Sequence, residues 1–481
     1  MEYEELKHFI EVKKAGIEGN ALKDKIDTHI INKWLNPKKF NGRGFVQAFT
    51  GFGKTYLAGI IFKRYRAKFT DAIVVIVPNS NLLNAFKSLG EELGIDNYYV
   101  YVINTYVMSD DESIVRECGL CFMDELHRMC SEMSDYFQKA IPITRSKLFL
   151  GVSATLEKKH IEFLETFNIK EVFTITVAEG MKLDIIPDYE IYNVGIDLTQ
   201  REKVAFYKND KTFRSGFELF NIGDGWNTFE LMMGCARAAG FKCKVTRKFG
   251  ETTSVEEASS DYWCTIVAQA SESIAGLSQK DAINKVRSKA FIVKNAMMER
   301  DDIINESEGK LQAVIDILKV IEQNNLNKEQ KDYTITFMDS VKRITHVEQL
   351  CNNRAFCYHS KLGVRAKRDR LSLYKQGVFY HLLTVKSLDE GFDEKKASIG
   401  ILESYSSKER QSTQRLGRFI RLDEKNPNKR PIAIFLYSKP FEYEEEEIQT
   451  NDFKKLNAVQ RDLLNINYIT LEKCLEILKR R

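Results

Sequence analysis

Apolar positions along this chain keep two rhythms. Short runs of four to six residues, apolar almost throughout, recur at 45–49, 72–77 (Ala-Ile-Val-Val-Ile-Val), 99–104, 120–123 and 147–152, with polar segments of helical spacing between them. Such runs are strands buried on both faces, and strands alternating with helices make a parallel sheet covered on both sides. The pattern predicts a three-layer α/β domain over 45–190. The same rhythm returns at 334–338, 356–359, 381–385, 397–402 and 432–437, which predicts a second α/β domain over 305–440. Residues 1–44 read as helical, with an apolar stripe at Ile26, Ile30, Ile31, Trp34 and Leu35 that stops at Asn36-Pro37. Residues 191–304 are mostly polar-helical and lack a nucleotide motif, so they read as a helical insertion, with a loop from Glu251 to Ser260. After the second domain come a solvated acidic run, Glu444 to Glu447, and a helical tail over 441–481 carrying Leu463, Leu464, Leu471, Leu475 and Leu478.

Composition narrows this picture only slightly. The 481 residues are 43% hydrophobic and 29% charged, an ordinary balance with ample core material. A net charge of +4 does not by itself announce a nucleic-acid binder, although it can hide a basic groove on one face. Nine cysteines and an acidic start, Met1-Glu2-Tyr3-Glu4-Glu5, without an apolar signal core suggest free thiols in a reducing compartment. No run approaches the roughly 18 apolar residues of a membrane span. The expected location is the cytoplasm, whether nucleoid-associated or that of a virus-infected host. Cys118 and Cys121 have the spacing of a metal pair, but no second pair accompanies them, so core packing is the better reading.

The chemistry starts at Ala48-Phe49-Thr50-Gly51-Phe52-Gly53-Lys54-Thr55, between an apolar strand and a helical run. That context suits a phosphate-binding loop. Gly51 and Gly53 let the backbone of Thr50 to Gly53 curl, so that successive N–H groups face phosphate oxygens. Lys54 then supplies a charge to the β- and γ-phosphates, and the Thr55 hydroxyl a ligand for Mg2+. Asp124 and Glu125, at the end of the run 120–123, supply a carboxylate to position the metal and a base for the attacking water. The cofactors expected on these grounds are ATP and Mg2+.

In order, Ala-x-x-Gly-x-Gly-Lys-Thr, Asp-Glu-x-His and Ser153-Ala154-Thr155 resemble the first motor domain of superfamily 2 helicases. The stretch from Thr384 through Leu388-Asp389-Glu390-Gly391-Phe392-Asp393 resembles the fifth motif of that family, and Gln414-Arg415-Leu416-Gly417-Arg418-Phe419-Ile420-Arg421 its sixth. The resemblance implies two RecA-like domains with ATP between them. It implies catalytic roles for Lys54, Glu125, Gln414, Arg418 and Arg421, a ribose contact for Asp393, and coupling through His127, Ser153 and Thr155. Weaker matches imply nucleic-acid contacts at Pro78 and Asn79, at Thr105 and at Thr384. Leu-Asp-Glu-Gly-Phe-Asp and Gln-Arg-Leu-Gly-Arg look most like DNA motors: excision-repair helicases, phage branch-migration helicases and restriction-type motor subunits. The expected partner is therefore DNA, single-stranded or branched, held through its backbone by a monomer. An RNA helicase and an ATP-gated clamp remain the alternatives. The chain departs from the family in one respect: no Gln precedes Val46, where the family usually has one to read adenine.

Overall fold

A computed structural model of the chain describes residues 1–49, 51–108, 116–130, 138–154, 156–220, 279–351, 354–385, 396–404, 415–420, 426, 429–460 and 463–481. The helical middle around Arg237 to Lys248 and the three cysteines Cys235, Cys243 and Cys264 lie outside the described residues.

Two helices lead in, α1 (Tyr3–Lys14) and α2 (Gly19–Trp34). Ile26, Ile30, Ile31 and Trp34 are buried as the stripe predicts, and Trp34 Nε1 donates to the Phe149 carbonyl at 3.0 Å. Leu35, past the helix end, is 44% exposed and leaves the stripe. The first sheet follows: β1 (Arg43–Ala48), α3 (Lys54–Arg66), β2 (Ile73–Val77), α4 (Ser80–Glu92), β3 (Tyr98–Val102), α5 (Ile103–Met108), β4 (Leu120–Met123), β5 (Leu148–Ser153), α6 (Lys158–Glu165) and β6 (Lys170–Ile175). Its order is β3-β2-β4-β5-β1-β6, and every neighbouring pair is parallel. Every residue of β2 and β4 is buried, as central strands covered on both faces require. The edge strand β6 begins with exposed Lys170 and Glu171, charges of the kind that discourage pairing with another chain. Its mixed pattern hides it from a hydrophobic reading.

After α7 (Val177–Lys182) comes the second sheet. It contains β7 (Glu190–Ile196), β8 (Tyr333–Phe337), β9 (Ala355–Tyr358), β10 (His381–Thr384), β11 (Ala397–Leu402) and β12 (Ile432–Ser438). The tail adds one more strand, β15 (Ile466–Ile469), in parallel against β7. The order is β15-β7-β12-β11-β8-β10-β9. The tail expected to be helical over 441–481 thus holds three strands as well as two helices, α13 (Asn451–Val459) and α14 (Leu471–Arg480). The acidic run forms the tip of a hairpin, β13 (Phe441–Tyr443) with β14 (Glu446–Ile448), and its glutamates are exposed. Both sheets are parallel α/β layers. This is the expected architecture of two RecA-like domains.

The chain divides into two compact units. One comprises Met1–Val194, Ile315–Phe435 and Leu456–Arg481, with the body of both sheets; the other comprises Gly195–Val314 and Leu436–Lys455. Within the second unit, α8 (Gln200–Phe220) and α9 (Gln279–Asn305) pack together. Leu198, Phe206, Tyr207, Ile304, Phe441 and Ile448 form a buried cluster there. Arg300 pairs with Asp210 at 2.6 Å and lies over the Phe213 ring. Two further helices complete the chain order of the region, α10 (Glu308–Leu326) before β8 and α11 (Val341–Leu350) after it, and α12 (Val364–Gln376) joins β9 to β10. Among the described residues, no helix is long and apolar enough to cross a membrane.

Candidate nucleotide site

In a parallel sheet all strands point the same way, so the loops after β1, β2, β3, β4 and β5 crowd one edge. Ligands bind in the crevice outside such carboxyl ends. The loop after β1 is the tightest of them. Gly51 and Gly53 take φ of +102° and +88°, where a side chain would be strained. Gly53 starts α3, so the free N–H groups of the first helical turn face the space after β1. Lys54 is half-buried and its Nζ donates to the Ala48 carbonyl at 3.1 Å, while Thr55 on the same turn is exposed. Phe52 is buried and packs edge-on against Phe49. Thr50 lies outside the described residues.

At the end of β4 sits Asp124, only 6% exposed. Burial, and then the neighbouring charge of Glu125, push its carboxyl up to about 7, against the pull of Lys54 and Arg418. The Glu125 N–H donates to Asp124 Oδ1 at 2.9 Å. Glu125 itself takes φ of +52°, a left-handed conformation that costs a non-glycine residue about 1–2 kcal/mol. The turn aims its carboxylate at the next element, where Oε2 lies 3.3 Å from His127 Nδ1. The same nitrogen lies 2.9 Å from Ser153 Oγ at the end of β5. Half-buried Glu125 and buried His127 and Ser153 therefore form one chain across two strand ends. Thr155, the third residue of this group, lies outside the described residues.

These residues suit a hard divalent cation. Asp124 and Thr55 offer oxygens, and the buried Asp124 carboxylate has a charge that burial opposes and a cation would offset. Mg2+ in such sites takes one or two protein oxygens and fills its shell with waters and phosphates.

From the second sheet, the turn 415–420 brings Arg418 near enough to act on Asp124, although Arg418 is itself buried. Leu416, Gly417 and Ile420 of that turn line the same apolar recess as Phe49, which directly precedes the phosphate loop. Arg415 is a residue that the sequence reading does not single out. It donates to the carbonyls of Ser404 at 2.7 Å and Val385 at 3.4 Å, and its guanidinium lies 5.1 Å from the Phe337 ring centre. One side chain thus joins the ends of β11, β10 and β8. Its position inside the motif is the one available signal. Asp393, Gln414 and Arg421 lie outside the described residues.

The residues expected to touch nucleic acid differ in exposure. Thr105 is exposed on α5. Asn79 is half-buried and its side-chain oxygen caps α4 by accepting from the Leu82 N–H at 3.0 Å. Pro78 is buried, and Thr384 is fully buried with a hydroxyl that has no hydrogen-bond partner among the described residues. His381 is buried and bonded to Thr334 and Glu322, a packed histidine. Cys118 and Cys121 are free and buried.

Two family models match the chain, one on each side of the insertion. Residues 21–104 match the res subunit of type III restriction enzymes, and residues 309–423 match the helicase conserved C-terminal domain. The first match holds the phosphate loop and the second the 415–420 turn. These two domain matches support a superfamily 2 helicase. Helicase domains of this kind imply nucleic-acid-dependent ATPase activity. The fold of the chain is similar to that of S. cerevisiae Dbp5 bound to RNA and ADP–beryllium fluoride, at TM-score 0.55 and 11% identity, with 99% of this chain and 96% of the other covered. A single-substitution variant of Dbp5 in the same complex gives 0.54 at the same identity, covering 99% and 97%. The helicase domain of Pyrococcus furiosus Hef gives 0.47 at 14% identity, covering 85% and 95%. No curated protein is similar in sequence.

Proposed function

We propose that this helicase is an ATP-driven motor on DNA, with motor domains over 45–190 and 305–440 and a composite ATP site between them. The observation that carries the reading is one apolar recess lined both by Phe49, beside the phosphate loop, and by Leu416, Gly417 and Ile420 of the turn that holds Arg418. Lys54 and the Thr50–Gly53 backbone hold the phosphates, and Asp393 contacts the ribose. Thr55 and Asp124 would hold Mg2+, which would neutralise charge on the phosphates. Glu125 orients the attacking water and accepts its proton. Arg418 and Arg421, assisted by Gln414, steady the charge that develops on the transferred phosphoryl group, and they do so only when the second domain is in place. His127, Ser153 and Thr155 relay that state to the strand-end loops. Asn79, Thr105, Thr384 and the backbone at Pro78 are the candidate contacts to nucleic-acid phosphates.

DNA is favoured over RNA by the fifth and sixth motifs and by the restriction-enzyme match over the phosphate loop. The likeness to RNA-bound Dbp5 is one of fold. The test is ATPase rate against single-stranded DNA, duplex, branched DNA and RNA of equal length. A DNA motor responds to at least one DNA more strongly than to RNA, and it displaces a strand or a third strand. Stimulation by RNA alone, or binding without displacement, overturns the reading in favour of an RNA helicase or a clamp.

A further inference from the structure

The polar positions of α2 face an unexpected place. Lys23, Asp24, Asp27 and Thr28 follow a helical spacing that would ordinarily be a solvated face. Instead Lys23 is 8% exposed and Asp27 fully buried, and the Lys23 ammonium donates to both oxygens of the Asp27 carboxylate. Burial opposes both charges, pulling Lys23 down and pushing Asp27 up, with their mutual attraction working against it. A buried ion pair is weak support for stability, because apolar residues of the same size often serve as well. Its surroundings suggest another use.

The Lys23 ammonium lies 4.0 Å from the Phe52 ring centre, a cation–π distance, and Phe52 is the middle residue of Gly51-Phe52-Gly53. The face of Gly53 that lacks a side chain points at the same lysine: a Cβ there would lie 3.6 Å from Lys23 Cε and 3.9 Å from Nζ. Neighbouring contacts hold the two helices together. Tyr56 Oη donates to Asp24 at 3.0 Å, and Arg64 Nη2 donates to Thr28 Oγ1 at 3.1 Å. Lys54 makes its own contact elsewhere, on the Ala48 carbonyl.

We infer that Lys23, fixed by Asp27, is a positioning residue for the phosphate loop: it pins Phe52 and Gly53 and thereby sets affinity for the nucleotide triphosphate rather than turnover. The inference rests on the reading of this loop as the ATP site. Losing one desolvated cation–π contact and the order it imposes corresponds to about a tenfold change in binding.

The experiment uses the full chain and measures ATP binding with a fluorescent ATP analogue, and kcat and KM for ATP at saturating nucleic acid. The variants are Lys23→Met, Lys23→Arg and the double variant Lys23→Met/Asp27→Leu, each with a melting temperature. We expect Lys23→Met to raise Kd and KM about tenfold with kcat within about twofold, and Lys23→Arg to recover most of the loss. The double variant removes the pair without leaving a buried charge, so it melts near the wild type yet keeps the raised KM. A double variant that binds ATP like the wild type makes the pair a packing feature and overturns the inference. So does a fall in kcat at unchanged KM. If the wild type itself binds no ATP, the reading of the loop fails, which is a different result from wild-type binding unaffected by these substitutions.

Discussion

The Gly400→Ala variant tests whether the second sheet delivers Arg418. Gly400 lies inside β11, and the face without a side chain is covered by the Phe419 ring. A Cβ at Gly400 would lie 2.0, 2.2 and 2.6 Å from Phe419 Cε1, Cζ and Cδ1. Carbon atoms settle at about 3.5–4.0 Å, so the ring has to retreat by about 1.5 Å. Phe419 is fully buried, so the ring has no free space to enter and the turn behind it must move. Overpacking of this kind costs about 1–3 kcal/mol. Arg418, the proposed transition-state contact, is the adjacent residue, and a displacement of about 1 Å in such a group costs about a hundredfold in rate.

The expected outcome is a folded protein with a lowered melting temperature, near-normal ATP affinity and kcat reduced by about a hundredfold. Steady-state ATPase assays at saturating nucleic acid, with Arg418→Ala as reference, provide the measurement. Because both changes act on one group, Gly400→Ala/Arg418→Ala is no slower than Arg418→Ala alone. Phe419→Leu in the Gly400→Ala background removes ring atoms from the clash and restores part of the rate. A Gly400→Ala enzyme with a lower melting temperature and full turnover would refute the reasoning, since the turn would have moved without consequence for catalysis.

Three other outcomes follow from the geometry. Glu125→Gln keeps the backbone turn but removes the proposed proton acceptor, so ATP still binds while turnover falls by about 10²–10⁴-fold, read by pairing a binding isotherm with a rate. Ser153→Ala removes the 2.9 Å contact to His127, and strand displacement then falls further than ATPase rate; equal losses in both would sink the coupling role. Arg343→Met takes the ion partner from Glu403, fully buried at the end of β11, and costs about 3–5 kcal/mol, whereas Arg343→Met/Glu403→Leu recovers most of it in thermal melts.

What the hydrophobic pattern reveals, and what it hides, depend on burial on both faces. β2, β4, β10 and β11 are uniformly buried and are legible as apolar runs. β6 and β7 are not. β6 is an edge strand with charges at its start, and β7 carries Asn193, which exchanges two hydrogen bonds with Gln460 in the tail. Its neighbour β15 pairs with it across more than two hundred residues of chain, a contact that no local pattern contains. The phosphate loop, Asp124, Glu125, His127 and Ser153 are legible because motif spacing fixes them locally. Arg415 and the Lys23–Asp27 pair are not, because their partners are carbonyls and rings supplied by other elements.

Three polar and backbone exceptions in the first sheet's half of the chain share a location. Glu125 adopts a left-handed backbone, Asp124 is a buried carboxyl, and Lys23 with Asp27 is a buried ion pair. Each conflicts with what its residue type prefers, and each borders the space after β1 and β4. By contrast, Glu444 and Glu445 also take positive φ, yet they sit at an exposed hairpin tip where such turns are common. An exception at a hairpin tip serves chain reversal. Exceptions that converge on one crevice from α2, β4 and the phosphate loop are compensated there only if a ligand uses them together. A triphosphate with its cation is such a ligand: it brings negative charge to Lys54 and positive charge to Asp124. On this argument, relaxing Glu125 or replacing Lys23 and Asp27 together by apolar residues improves local preferences while impairing the enzyme, which is the opposite of what a merely structural role predicts.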